Sequence, residues 1–152
     1  MTALPPSLDP PERLLCGPGP SNPSPDVLAA MRQPMLGHLD PDLHEILNQV
    51  VELLRGTYRA CAGLVLPLQA TGSSGMEAGL ANLLEPGDTA IIGVNGFFGA
   101  RIVDIAQRYG ANVVQVSEPF GNHVPNERLI EALDEHPDAK LIAVVHAETS
   151  TG

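Results

Sequence analysis

From residue 64 onward short apolar runs alternate with helical patterns, and this alternation restricts the possible folds more than any other feature of the chain. Segments 64–68, 89–94, 112–116 and 141–145 are short, apolar and largely β-branched or leucine-rich, and they read as strands. Between them, 76–84, 97–109 and 126–136 repeat apolar residues at helical spacing. Glu85-Pro86-Gly87-Asp88 and Tyr109-Gly110 mark where two of these helices stop. Strand and helix in this succession predict right-handed βαβ units: an α/β fold whose mostly parallel sheet is flanked by helices. Ligands of such sheets lie beyond the carboxyl ends of the strands. The loops 70–75, 95–99 and 146–152 are therefore expected to share one edge.

Upstream, Asp40-Pro41 opens a long helix, with proline at the first position and an acid as its cap. Leu43, Ile46, Leu47, Val50, Val51 and Leu54 recur at steps of three and four, which predicts one buried stripe, covering the sheet or facing a second subunit. Ser24-Pro25 opens a shorter helix over 25–32. Before it, Gly17-Pro18-Gly19-Pro20-Ser21-Asn22-Pro23 allows neither helix nor regular strand and reads as an arm or loop. The expected organisation is an arm over 1–23 and one α/β domain over 24–152.

A net charge of −10, from 18 acids against 8 bases, argues against a nucleic-acid partner, and no tryptophan is present to stack on bases. Any anionic ligand has to be held locally, by backbone amides and helix ends. No apolar run is long enough to cross a membrane, and Met1 to Arg13 lacks a basic head followed by an apolar core, so the expected location is cytoplasmic. Cys16 and Cys61 are too few for a disulfide framework and are expected to be small buried residues. Apart from His38 and His44, which straddle a helix start and would not converge, the histidines show no metal-ligand spacing, and no metal is expected.

Gln69-Ala70-Thr71-Gly72-Ser73-Ser74-Gly75-Met76 lies between an apolar run and a helical one. Few side chains obstruct its backbone N–H groups, its hydroxyls can donate, and the following helix directs its positive end toward the loop. This is a candidate anion site. A plain strand-to-helix turn, with Ser73 or Ser74 as N-cap, accounts for the same residues. The last loop, Glu148-Thr149-Ser150-Thr151-Gly152, adds hydroxyls at the same expected edge, and Phe98 adds a flat ring.

Taken in order, Gly17-Pro18-Gly19-Pro20-Ser21-Asn22, Thr71-Gly72-Ser73-Ser74-Gly75-Met76-Glu77-Ala78, Leu84-Glu85-Pro86-Gly87-Asp88, Gly93-Val94-Asn95-Gly96-Phe97-Phe98-Gly99 and His146-Ala147-Glu148-Thr149-Ser150-Thr151-Gly152 resemble the alanine–glyoxylate and serine–pyruvate aminotransferases. These are class V, fold-type I pyridoxal-phosphate enzymes. The resemblance implies the N-terminal portion of the large, cofactor-binding domain, with the small C-terminal domain absent. It implies pyridoxal 5'-phosphate as cofactor, an amino acid and a 2-oxo acid as substrates, and a homodimer. Thr71, Gly72 and Ser73 would hold the cofactor phosphate, Phe98 would stack on the pyridine ring where relatives commonly have Trp or Tyr, and Thr149 would lie near the phenolic oxygen. Gly19 would approach the substrate carboxylate through its backbone. Gly37-His38 resembles a second active-site loop, although a surface histidine beside a helix cap explains His38 as well.

In such enzymes a lysine forms the Schiff base and an aspartate faces the pyridine nitrogen. Lys140 is the sole lysine here, and it precedes the 141–145 strand at its amino end, so it is not expected to serve. The resemblance places both groups, and the arginine that pairs with the substrate carboxylate, downstream of the Gly152 motif. The chain is accordingly expected to be a catalytically silent fragment of an aminotransferase. A non-catalytic module that binds phosphate or mediates dimerisation is the alternative. A nucleotide or flavin domain fits less well, since no Gly-x-Gly-x-x-Gly follows the first strand.

Overall fold

The computed structural model describes residues 10–152; the start of the arm lies outside the described residues. Two helices come first, α1 (Pro25–Met31) and α2 (Pro41–Tyr58), each started by its own cap. Ser24 Oγ accepts from the Val27 amide at 3.4 Å, and Asp40 Oδ1 accepts from the Asp42 amide at 2.9 Å. Proline at the first position of each helix gives up an N–H that would have had no partner there. Neither helix contains a fully buried residue, and the stripe expected to be buried on α2 is covered only in part: Leu43, Val50, Val51 and Leu54 are half-buried, whereas Ile46 and Leu47 are exposed.

The second half holds the core. After α3 (Gly72–Leu83), strands and helices alternate as β1 (Thr89–Val94), α4 (Phe97–Arg108), β2 (Asn112–Ser117), α5 (Asn126–Glu135) and β3 (Leu141–Ala143). The sheet is parallel, in the order β2-β1-β3, with Thr89 opposite Asn112 and Ala90 opposite Leu141. β1 is central, and successive side chains point to opposite faces. Ala90, Ile92 and Val94 join Leu80, Leu84, Ile102, Val103 and Ala106 from α3, its C-terminal boundary and α4 in one layer. Ile91 joins Val116 and Ala132 in a second layer, where α5 covers the other face. β1 therefore consists of continuous apolar residues, as a strand covered on both sides must.

Gly99 sets how closely α4 packs. A Cβ there would stand 3.0 Å from the Gly93 carbonyl oxygen and 3.1 Å from the Val94 Cα, so glycine lets the first turn of the helix lie on β1.

Two sequence expectations fail. Segment 64–68 is not a strand: its alternating Leu64, Leu66 and Leu68 are exposed, Leu64 at 81%, and Pro67 removes an N–H from any ladder. Among the described residues no neighbouring strand pairs with it. Cys16 and Cys61 are free thiols on exposed positions rather than buried ones, because both lie in irregular segments flanking α1 and α2. The 141–145 strand is also shorter than its pattern, ending at Ala143.

Candidate functional site

The strand order reverses at β1: the chain leaves β1 through α4 to β2 on one side and returns through α5 to β3 on the other. Such a reversal opens a crevice between the diverging loops at the carboxyl ends. Here those loops are 95–96, leading into α4, and 144–151, leaving β3. They close on each other through Glu148, the one buried charged residue among those described, at 7% exposure.

α4 starts at Gly96 with no side-chain cap of its own. Its orphan amides are satisfied from the loop after β3 instead. The Phe98 and Gly99 amides donate to Glu148 Oε2 at 3.0 and 3.1 Å, and the Phe97 amide donates to Ser150 Oγ at 3.0 Å. Glu148 Oε1 accepts from the Ser150 hydroxyl at 2.6 Å and from the Ser150 amide at 3.2 Å. Burial pushes the Glu148 carboxyl up, but the hydrogen bonds from the Ser150 hydroxyl and the Gly99, Ser150 and Phe98 amides outweigh it and hold the group below its ordinary value. A negative charge there also complements the positive end of α4.

α3 starts differently. Thr71 is its N-cap, with Oγ1 accepting from the Ser74 amide at 3.3 Å, so neither Ser73 nor Ser74 has the capping role. The first-turn amides of Gly72 and Ser73 have no carbonyl to bond within the helix. Nothing stands within 4 Å of where a Cβ on Gly72 would sit, so an anion can approach the backbone. The Arg101 guanidinium of α4 donates to Ser73 Oγ at 3.1 Å and lies 5.7 Å from the Phe97 ring centroid. It brings a positive charge beside an open helix start in a chain that is otherwise strongly acidic.

Between the two helix starts is a cavity of about 410 Å³, lined by Thr71, Gly72, Ser73, Met76, Phe98, Val145, Ala147 and Thr149. All five residues picked out for the cofactor, Thr71, Gly72, Ser73, Phe98 and Thr149, line it. The neighbouring phenylalanines divide: Phe98 is half-buried against the cavity, whereas Phe97 is exposed, with the rings edge to face at 87°. One end of the space is rich in donors and the middle is apolar. That suits a flat ring carrying an anionic tail.

The arm reaches the same neighbourhood. It closes on itself through Asn22, whose Oδ1 accepts from the Leu15 amide at 2.7 Å and whose Nδ2 donates to the Arg13 carbonyl at 3.0 Å. Gly19 does not line the cavity; a Cβ on it would lie 3.9 Å from Thr149 Cγ2, so it touches the site only through Thr149. Cys16 and Pro18 line an adjoining cavity of about 460 Å³ with Asn95, His123 and His146. His38 is exposed in the turn before α2 and lines neither cavity. Lys140 is at the opposite edge of the sheet, where its amide donates to the Thr89 carbonyl at 2.7 Å. No group of three or more metal-ligating side chains occurs among the described residues. No helix among them is long and apolar enough to cross a membrane.

Glu148 and Arg101 are the site residues that sequence reading passed over. The signal for Glu148 was available: an acid in a carboxyl-edge loop, opposite a helix whose N-cap is a glycine.

No protein-family model matches the chain. It is 39% identical over 150 residues to the alanine–glyoxylate aminotransferase of Rattus norvegicus, an alignment covering 99% of this chain and 36% of that protein. Among solved structures, alanine–glyoxylate aminotransferase from Nostoc sp. is 48% identical, with a TM-score of 0.81, over 95% of this chain and 38% of that one. Ureidoglycine–glyoxylate aminotransferase from Bacillus subtilis is 36% identical, with a TM-score of 0.82, over 95% of this chain and 37% of that one. The fold is that of the N-terminal part of a fold-type I aminotransferase. The chain belongs to the class V aminotransferases, in the alanine–glyoxylate aminotransferase family, and spans a little over a third of the length of the relatives it matches.

Proposed function

We propose that these residues form the phosphate and ring end of a pyridoxal-phosphate site in an aminotransferase that moves an amino group from alanine or serine to glyoxylate or pyruvate. The observation that carries this reading is the cavity in which Thr71, Gly72 and Ser73 face Phe98 and Thr149. The residues fit the group: Gly72 leaves its backbone open, the Gly72 and Ser73 amides have no acceptor within the helix, and Arg101 supplies charge beside Ser73. When bound, the cofactor supplies the electron sink that stabilises the developing carbanion at the amino acid's α-carbon.

The chain's own residues bind and orient. The amides of Gly72 and Ser73 and the Ser73 hydroxyl hold the phosphate, with the positive end of α3 behind them. Phe98 supplies a flat apolar face that fixes the ring plane and keeps water from it. Thr149, on the facing loop, would offer its hydroxyl to the ring's oxygen substituent. Gly19 brings the arm's backbone toward the substrate carboxylate, next to Thr149. Lys140 lies at the amino edge of the sheet, so on this reading it is not the lysine that would anchor the cofactor. On this reading that lysine, the aspartate against the ring nitrogen and the arginine for the substrate carboxylate would be supplied by residues other than these 152.

A second reading, a non-catalytic module that holds phosphate or mediates dimerisation, draws support from the incompletely covered stripe of α2. A homodimer in which this stripe meets a partner is compatible with both readings.

Titration of pyridoxal 5'-phosphate into the chain, followed by thermal shift and cofactor absorbance, tests the proposal. Saturable binding is expected, together with its loss on Ser73→Asp, which places a carboxylate in the open first turn of α3. Borohydride reduction and peptide mass mapping should leave Lys140 unmodified at stoichiometric cofactor. A wild-type chain with no saturable binding, or a site-specific adduct at Lys140, sinks the reading.

A further inference from the structure

We propose that Glu148 is the positioning residue of this site: its buried carboxylate fastens the first turn of α4 to the turn after β3 and thereby sets the Phe98 ring against the Thr149 hydroxyl. The inference rests on the cofactor reading above.

The caps of α1, α2 and α3 are local, each provided by the residue immediately before the helix. α4 alone takes its acceptor from a side chain 50 residues further along the sequence. A serine or aspartate at position 96 would satisfy the same amides locally. Glycine stands there instead, and a Cβ on it would overlap the Glu148 side chain. Gly96 thus leaves room for the long-range cap, and a local cap would exclude it.

What the long-range arrangement adds is a connection between two loops. Phe98, whose ring lines the cavity, donates its amide to Oε2, and Thr149, whose side chain lines the cavity from the other loop, lies between Glu148 and Ser150, which are bonded to each other. Ser150 doubles the link, since its hydroxyl both donates to Glu148 and accepts from the Phe97 amide. A buried carboxylate is costly unless its lone pairs are filled, and here each oxygen accepts two hydrogen bonds. The same carboxylate closes the start of α4 to any other anion, leaving the start of α3 for the ligand's phosphate. The phosphate end, at Thr71 to Ser73, makes no hydrogen bond with Glu148.

That separation yields the test. Pyridoxamine 5'-phosphate, which has no aldehyde to react with Lys140, reports the whole site, and inorganic phosphate reports the α3 end alone. Both affinities are measured by calorimetry on the 152-residue wild type, Glu148→Ala, Glu148→Gln, Gly96→Ala and the Gly96→Ala/Glu148→Ala double variant. Glu148→Ala and Gly96→Ala are each expected to weaken pyridoxamine 5'-phosphate about tenfold and to leave inorganic phosphate within about twofold. Glu148→Gln, whose amide oxygen can still accept from Phe98 and Gly99, should fall between, and it serves as the test if the alanine variant does not fold. In the double variant, Gly96→Ala should add no further loss, because the side chain it displaces is gone. Parallel loss of both probes, or no loss of pyridoxamine 5'-phosphate, overturns the positioning role. A wild type that binds neither probe overturns the cofactor reading itself, and the positioning role with it.

Discussion

Helices α2 and α4 are both amphipathic, yet α4 buries Gly99, Ile102, Val103, Ile105 and Ala106 while α2 buries nothing fully. The difference lies in what surrounds them. α4 is joined to β1 by Asn95 and Gly96 alone, so its apolar face falls on the strand it has just left, at a distance that Gly99 permits. α2 is followed by an exposed segment, residues 60–70, that pairs with nothing described. Amphipathicity states that a helix has a face to cover. Which surface covers it depends on the connection.

The largest effect should come from making one substitution in both helices. Ile105→Ala on α4 removes a side chain only 9% exposed and is expected to cost about 2–4 kcal/mol in urea denaturation. Ile46→Ala on α2, at 48% exposure, is expected to cost about 0.5 kcal/mol or less beyond any change in helix propensity. Equal costs would mean that α2 is covered in solution, by a partner or a second copy, and sedimentation of the two variants would show which.

Next is Gly96→Ala, which displaces Glu148 and strands the amides of Phe98 and Gly99. A loss of about 2 kcal/mol is expected from the unsatisfied buried groups. Asp40→Ala, the corresponding change at the start of α2, should cost about 1 kcal/mol or less, and amide exchange should place it within α2 and not in the sheet. If Asp40→Ala opened β1 as well, the two halves would be one cooperative unit.

The smallest effect is a slope with pH. Glu148 is held below its ordinary value of 4.5 in the folded chain, so the unfolded chain binds its proton first as pH falls. The stability it contributes is present above pH 4.5 and is lost as pH drops from there through the folded value. Glu148→Gln should flatten that part of the stability profile while leaving the profile above it unchanged in shape. An unaltered acid limb would show that Glu148 does not titrate as the structure requires.

Much of this was legible in sequence. β1, β2, α4 and α5 sit within a residue or two of where periodicity predicts them, because their patterns are strong and the Glu85-Pro86-Gly87-Asp88 turn and Gly110 mark the boundaries of β1 and α4. α3 begins four residues earlier than its apolar repeat, since Thr71 caps it and small residues form its first turn. The apolar run over 64–68 read as a strand because alternation is a local property, whereas a strand exists only with a partner to share its hydrogen bonds. Residue type alone favours burial of Cys16 and Cys61, but the irregular segments that carry them provide nothing to bury them in.

The sequence by itself determined the parallel α/β order, the helix starts at Ser24 and Asp40, and the loops that carry Thr71, Phe98 and Thr149, because caps, turns and apolar periods act over a few residues. Tertiary structure decided which of two helix starts stays open to an anion. α3 begins in small residues and α4 behind a glycine N-cap, and only the approach of Glu148, from the loop beyond β3, closes one start and leaves the other.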